Sequence, residues 1–275
     1  MIRITTLVEN SPGEHLALHH EHGISFCIET EQGKVLFDTG QSDAFLQNAK
    51  QLRIDLDNLN YVVLSHGHYD HSGGFRALSE VASDFELVVG KGFFTEKYAA
   101  INGGYEFLGN NFTRDFLVER NIPYSEIDTA VRELMPGVSV LGQFPRNHRD
   151  EIINPRFKLK QGEEFVPDDF TDEVLVVVDT SRGLVVLLGC SHPGMRNLLD
   201  AAKERFQKPI YAVMGGTHLV EASDDVTRAA YDYLRREGVE VIGVSHCTGD
   251  KGMRILGDIR DSYFHNRTGS CLIIP

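Results

Sequence analysis

The stretch Tyr61-Val62-Val63-Leu64-Ser65-His66-Gly67-His68-Tyr69-Asp70-His71 decides how this chain is read. Residues 61–64 form a short apolar run, suited to a strand buried on both faces. That strand delivers the chain directly into three histidines and an aspartate within six residues. In an extended segment residues two apart point the same way, so His66 and His68 can present both imidazoles to one ion. Asp70 and His71 follow where the chain turns toward Ser72-Gly73-Gly74, within reach of a second ion. Imidazole and carboxylate together suit zinc, iron or manganese, and no thiolate is required. A merely polar loop is the weaker reading, because burying such groups without partners is costly.

Upstream, residues 23–30 and 34–37 read as strands joined by a turn through Glu31-Gln32-Gly33. Ser42 is placed to cap a helix in which Phe45, Ala49 and Leu52 share one face. Downstream the same plan recurs. Residues 174–179 and 184–188 make a second hairpin, turning at Ser181-Arg182-Gly183, followed by a helix over 195–206 and a strand over 210–214. At an offset of about 150 residues Gly33 matches Gly183, Val62 matches Ala212 and His68 matches His218. So long a repeat implies two similar lobes rather than a solenoid. A helix over 225–236 and strands over 239–244 and 271–274 complete an α/β pattern with helices outside and sheets within.

Residues 91–170 break this pattern, with Phe93, Phe94, Tyr98, Tyr105, Phe107, Phe112 and Phe116 scattered among glycines and asparagines. They read as an insertion covering the substrate, a homodimer contact, or an aromatic satellite core under long loops.

Further candidate ligands lie at strand ends, where open α/β sheets place functional groups. His192 follows a strand in Gly189-Cys190-Ser191-His192-Pro193, and His246 follows another in Ser245-His246-Cys247-Thr248-Gly249. His218, in Gly215-Gly216-Thr217-His218-Leu219, can serve as ligand, general acid or base, or anion anchor. Asp38, in Leu36-Phe37-Asp38-Thr39-Gly40, ends a strand too and suits a carboxylate that orients a ligand imidazole.

Composition narrows the function. The 275 residues are 41% hydrophobic and 24% charged, enough for a sizeable core. Forty acidic against 27 basic residues give a net charge of −13, without the basic stripe a nucleic-acid binder needs. An anionic small molecule remains compatible, because a metal supplies local positive charge. No apolar run is long enough to span a membrane, and the N-terminus alternates like a strand, so a cytoplasmic location is expected. Four widely spaced cysteines include no Cys-x-x-Cys pair, which disfavours a disulfide framework or zinc knuckle.

The run His66-x-His68-x-Asp70-His71, preceded by an apolar strand and by Phe37-Asp38-Thr39-Gly40, resembles the metallo-β-lactamase superfamily. Glu21-His22-Gly23-Ile24-Ser25, Gly189 to Gly194, Gly215 to Leu219 and His246 to Gly249 narrow the resemblance to the dihydropteroate-synthase-like branch. Members of that branch are commonly named 7,8-dihydropterin-6-methyl-4-(β-D-ribofuranosyl)aminobenzene-5′-phosphate synthases. The resemblance spans nearly the whole chain, is weakest over 91–135, and implies a single αββα four-layer sandwich over residues 1–275. It also implies that His66, His68 and His192 hold one divalent metal, and Asp70, His71 and His246 another. Hydrolase members such as glyoxalase II place a bridging aspartate where this chain has Cys190, so the second metal is either weaker or held by the thiol. Thr217 stands where the branch often has an aromatic residue.

The reading that follows is a metal-dependent enzyme, with Asp70 and His218 as catalytic groups and a small anionic, phosphorylated substrate. Zinc is the first expectation for one or two ions, with iron and manganese as alternatives. Both hydrolysis and a pterin-type condensation releasing pyrophosphate suit the site. The competing class is a non-catalytic iron-binding or redox protein on the same scaffold.

Overall fold

A computed structural model of the chain describes residues 1–82, 84–256 and 262–275. It divides into two compact units, one of Met1–Asp128, Asn154–Asp172 and Arg267–Pro275, the other of Thr129–Ile153 and Glu173–Asn266.

In the first unit the expected hairpin forms as Ser25–Thr30 and Gly33–Phe37. The Thr30 hydroxyl closes its turn, donating to the Gly33 carbonyl and accepting from the Gln32 amide. The helix Ala44–Leu52 follows, with Phe45 and Ala49 buried and Leu52 packed against the same core. Burying a side chain the size of Phe45 stabilises the fold by about 1.5–3 kcal/mol. The Ser42 hydroxyl accepts the Ala44 amide at the helix entry, and Arg53, in the left-handed conformation, ends the helix. The strand Tyr61–Leu64 then pairs in parallel with Gly33–Phe37 on one side and Glu86–Gly90 on the other. That central position explains why residues 62–64 are all apolar and buried. The complete sheet runs Cys271–Ile274, Ile2–Val8, Ser25–Thr30, Gly33–Phe37, Tyr61–Leu64, Glu86–Gly90 and Tyr124–Ile127.

The second unit repeats this plan. Its sheet runs Val131–Met135, Val138–Leu141, Leu175–Thr180, Gly183–Leu188, Ile210–Gly216 and Val241–Ser245. Its hairpin carries the same hydroxyl turn, with Thr180 bonded to the Gly183 carbonyl and the Arg182 amide. The helix Met195–Phe206 forms over the expected residues, and Asp224–Arg236 begins one residue earlier than expected. The gapless match between the halves holds only as far as Leu184 opposite Ile210. Val185 then pairs with Ala212, so the register steps over Tyr211 and the equivalence moves by one residue. His218 therefore does not occupy the structural position of His68.

Residues 91–170 contain more regular structure than their sequence suggests. Lys97–Ile101, Gly104–Phe107, Phe157–Gln161 and Glu164–Pro167 make an antiparallel four-stranded sheet in the first unit. Phe93, Phe112 and Phe116 join that unit's main core, whereas Tyr105 and Phe107 are exposed on the small sheet. Among the described residues, no helix is long and apolar enough to cross a membrane.

Candidate metal centre

In the first unit the chain leaves the strand Tyr61–Leu64 at Ser65, and the donor groups begin at once. Asp38, at the end of the adjacent strand, is fully buried and holds them in order. Its carboxylate accepts the Ser65 amide at 2.7 Å, the Ser65 hydroxyl at 2.8 Å and His71 Nδ1 at 2.7 Å. His71 thus carries its proton on Nδ1 and presents the Nε2 lone pair. The Ser65 hydroxyl spends its hydrogen on Asp38, so it accepts from His66 Nδ1 at 3.0 Å. That leaves His66 Nε2 as the electron-pair donor, 3.0 Å from His68 Nδ1. Asp70 Oδ2 lies 3.5 Å from His71 Nε2 and 3.3 Å from His22 Nε2. His66, His68, Asp70 and His71 are all buried.

These separations test whether a metal fits. Bonds of the usual zinc–nitrogen length make a tetrahedral edge of about 3.3 Å between two nitrogens. The His66–His68 and Asp70–His71 pairs both lie close to that value. Burying so many lone pairs without a cation to receive them is costly, and the set fits a divalent ion.

In the second unit the strand Gly183–Leu188 ends in Gly189 and Cys190, and Ser191 turns through the left-handed region at φ 62°. The Ser191 hydroxyl donates to the Gly216 carbonyl at 2.8 Å. His192, buried, lies with its ring centroid 4.3 Å from that of His218. His246, at the end of Val241–Ser245, places Nε2 at 3.5 Å from Cys190 Sγ. A sulfur and a nitrogen bound to one zinc ion stand about 3.6 Å apart, so this pair also fits adjacent ligands.

His218 sits apart from the strand-end pairs in its bonding. Its amide donates to Cys247 Sγ at 3.2 Å, and its Nε2 lies 3.2 Å from Glu221. Burial alone would lower its pKa, but Cys247 and Glu221 outweigh burial and raise it to about 10. Burial likewise opposes ionisation of Cys247, yet Cys190, His246 and His218 pull that thiol well below its ordinary value. Cys190, His218 and Cys247 offer donor atoms within 4.8 Å of one another. Thr217, beside them, shares a hydrogen bond of 2.9 Å with Thr248. Gly216 is required here, because a Cβ would fall 2.3 Å from the Gly189 carbonyl oxygen and 2.6 Å from Cys247 Sγ.

The structure therefore gathers His66, His68, Asp70, His71 and Asp38 in the first unit, and His192 with His218 and Cys190 with His246 in the second. Sequence reasoning missed Ser65, Cys247 and the buried carboxylates Asp172 and Glu173. Ser65 had a readable signal, since it sits between the buried strand and His66.

The chain matches the metallo-β-lactamase superfamily over residues 22–195. The chain belongs to that superfamily. It is 31% identical to the 7,8-dihydropterin-6-methyl-4-(β-D-ribofuranosyl)aminobenzene-5′-phosphate synthase of Methanocaldococcus jannaschii, covering 91% of this chain and 88% of the relative. An uncharacterized protein of the same organism is 28% identical, with 95% of each chain covered. Among solved structures, Tm1679, described as a metal-dependent hydrolase of the β-lactamase superfamily, superposes with a TM-score of 0.85 at 31% identity. That match covers 100% of this chain and 99% of the other. YhfI from Bacillus subtilis, at 10% identity and a TM-score of 0.61 over 99% and 100% of the two chains, shares the fold alone. The α/β architecture is thus the metallo-β-lactamase fold, as its motifs led one to expect. This superfamily includes enzymes, and its fold implies binding of divalent metal by donor clusters like those above.

Proposed function

We propose that this metallo-β-lactamase-fold protein is a metal-dependent enzyme acting on a small anionic, phosphorylated substrate. His66, His68 and His192 would hold one ion, and Asp70, His71 and His246 the other. Cys190 supplies to the second ion the donor that an aspartate supplies in hydrolase members. The carrying observation is the Asp38–Ser65 hydrogen-bond chain, which turns the lone pairs of His66 Nε2 and His71 Nε2 outward as electron-pair donors. Imidazole, carboxylate and one thiolate favour zinc, with iron and manganese as alternatives. When bound, such ions supply Lewis acidity and positive charge toward the substrate's anionic group.

The protein's own groups do the rest. His218, holding its proton at neutral pH beside Glu221 and Cys247, is the proton donor to the leaving group. Asp38 keeps His71 in one tautomer and one orientation. The two relatives at 31% identity carry different reaction names, synthase and hydrolase, and the residues described suit either. Metal analysis with anomalous diffraction, joined to a screen of phosphoesters and a pterin diphosphate, tests the reading. One or two divalent ions with release of phosphate or pyrophosphate is the expected result. No turnover with any divalent metal, alongside reversible reduction of bound iron, would favour a non-catalytic iron protein.

A further inference from the structure

Two consecutive carboxylates, Asp172 and Glu173, are almost completely buried. Asp172 Oδ2 accepts the amide of Gly67, the residue between His66 and His68, at 2.9 Å. Its other oxygen accepts from Lys97 Nζ at 2.9 Å, and Lys97, itself buried, also donates to Asp168 at 2.6 Å. Burial would strip the Lys97 ammonium of its proton, but Asp172 and Asp168 more than offset this and hold it charged. Lys97 Nζ lies 4.6 Å over the Phe170 ring, which in turn meets the rings of His66 and His68 edge to face. Both oxygens of Asp172 are therefore engaged, so its plane is fixed and so is the direction of the Gly67 amide. Gly67 also lacks room for a side chain, since a Cβ would stand 2.5 Å from the Phe93 carbonyl oxygen.

Glu173 does the same for the other ligand turn. Its Oε1 accepts the Ser191 amide at 2.6 Å and its Oε2 the His192 amide at 3.0 Å. The left-handed Ser191 aims two successive N–H groups at one carboxylate, an anion-binding nest filled from within the chain. A buried carboxylate is expensive unless its bonds are needed, and a neutral amide could serve only one of these two donors.

We propose that Asp172 and Glu173 are positioning residues for the metal-binding histidines. Asp172 sets the turn between His66 and His68, Glu173 sets the turn into His192, and one peptide bond joins the two. This inference rests on the metal reading above, in which those three histidines serve the same ion. Asp172 then acts through the turn that carries His66 and His68, and Glu173 through the turn that carries His192.

The test compares Asp172→Asn, Glu173→Gln and Asp168→Asn with the wild type. Zinc affinity is measured by chelator competition, and the ligand field by the visible bands of the cobalt-substituted protein. Asp172→Asn and Glu173→Gln are expected to weaken one bound ion by about 10- to 100-fold and to shift its cobalt bands. Asp168→Asn removes a Lys97 partner without touching the Gly67 amide; because Asp168 also accepts the Phe170 amide at 2.7 Å, a loss smaller than that of Asp172→Asn is expected, with bands close to those of the wild type. Glu173→Gln tests the idea independently if Asp172→Asn fails to fold. Unchanged affinity and spectra in both variants would overturn the inference, as would an equal loss in Asp168→Asn, which marks a packing effect. A wild-type protein that binds no divalent metal would instead overturn the proposed function.

Discussion

Asp38 shows how much one residue can determine. It accepts three hydrogen bonds while fully buried, and through them it fixes a backbone amide, a hydroxyl and an imidazole tautomer. In Asp38→Asn an amide NH2 replaces one oxygen and opposes either the Ser65 amide at Oδ1, or the Ser65 hydroxyl and the His71 proton at Oδ2. Metal affinity should fall by about 10- to 100-fold, read by chelator competition. Folding stability should fall by about 1–3 kcal/mol, read by urea unfolding of the metal-free protein. His218 is the second residue whose state can be read directly. Against burial, Cys247 and Glu221 raise its pKa to about 10, so the proton is held through neutrality and lost as pH rises through that value. A proton donor with this pKa gives activity that persists into mildly alkaline pH and falls near pH 10. His218→Asn should lower kcat, abolish the alkaline limb and leave most metal in place. Loss of all metal in that variant would make His218 a ligand rather than a donor.

At the level of elements, the loop between His66 and His68 leaves no room for a side chain at Gly67. Gly67→Ala would push a methyl group against the Phe93 carbonyl, a close contact that the buried loop relieves only by shifting. Overpacking of this kind costs about 1–3 kcal/mol. Because the shift moves both flanking imidazoles, zinc loss measured by elemental analysis should accompany the lower urea midpoint. A substitution at Ser223, whose hydroxyl caps the helix Asp224–Arg236 by accepting the Val226 amide, should behave differently. Ser223→Ala should cost about 1 kcal/mol with metal content unchanged. The contrast reflects what the sequence could reveal. The His66–His71 cluster is legible because its donors come from one short segment at the end of an apolar strand. His192 and His246 are legible only as single histidines after strands, and the paired hairpins because their turns repeat Thr30 and Gly33 as Thr180 and Gly183. Asp172, Glu173 and Lys97 are not, since each acts on a loop far away in sequence and looks locally like any charged residue. The strand Gly104–Phe107 is exposed at every residue and so leaves no alternation of burial to read. The step over Tyr211 is equally silent, because a bulge needs no residue type that the flanking strand lacks.

For the whole molecule the decisive quantity is the free energy that metal binding adds to folding. The chain carries a net charge of −13, so divalent cations relieve self-repulsion as well as filling donor sets. Unfolding scatters His66, His68, Asp70, His71, His192 and His246, and the donor spacing described above exists only in the folded chain. An ion that binds the native state alone stabilises it by about 2.7 kcal/mol when present at 100 times its Kd. For a chain of this size that corresponds to a rise in Tm of about 5 °C. Calorimetry of chelator-treated protein, with and without added zinc, should show such a rise, growing with zinc concentration. Protons compete with metal for imidazole, so the rise should shrink when the same titration is run near pH 5.5. The His68→Ala variant provides the internal control. Having lost one imidazole of the His66–His68 pair, it should lose the larger part of the zinc-dependent rise, read against its own metal-free Tm, because the buried ring also packs on Phe157 and Phe170. An equal zinc response in His68→Ala would mean that the stabilising ion binds elsewhere, and the ligand assignment built on the His66–His71 run would fall with it.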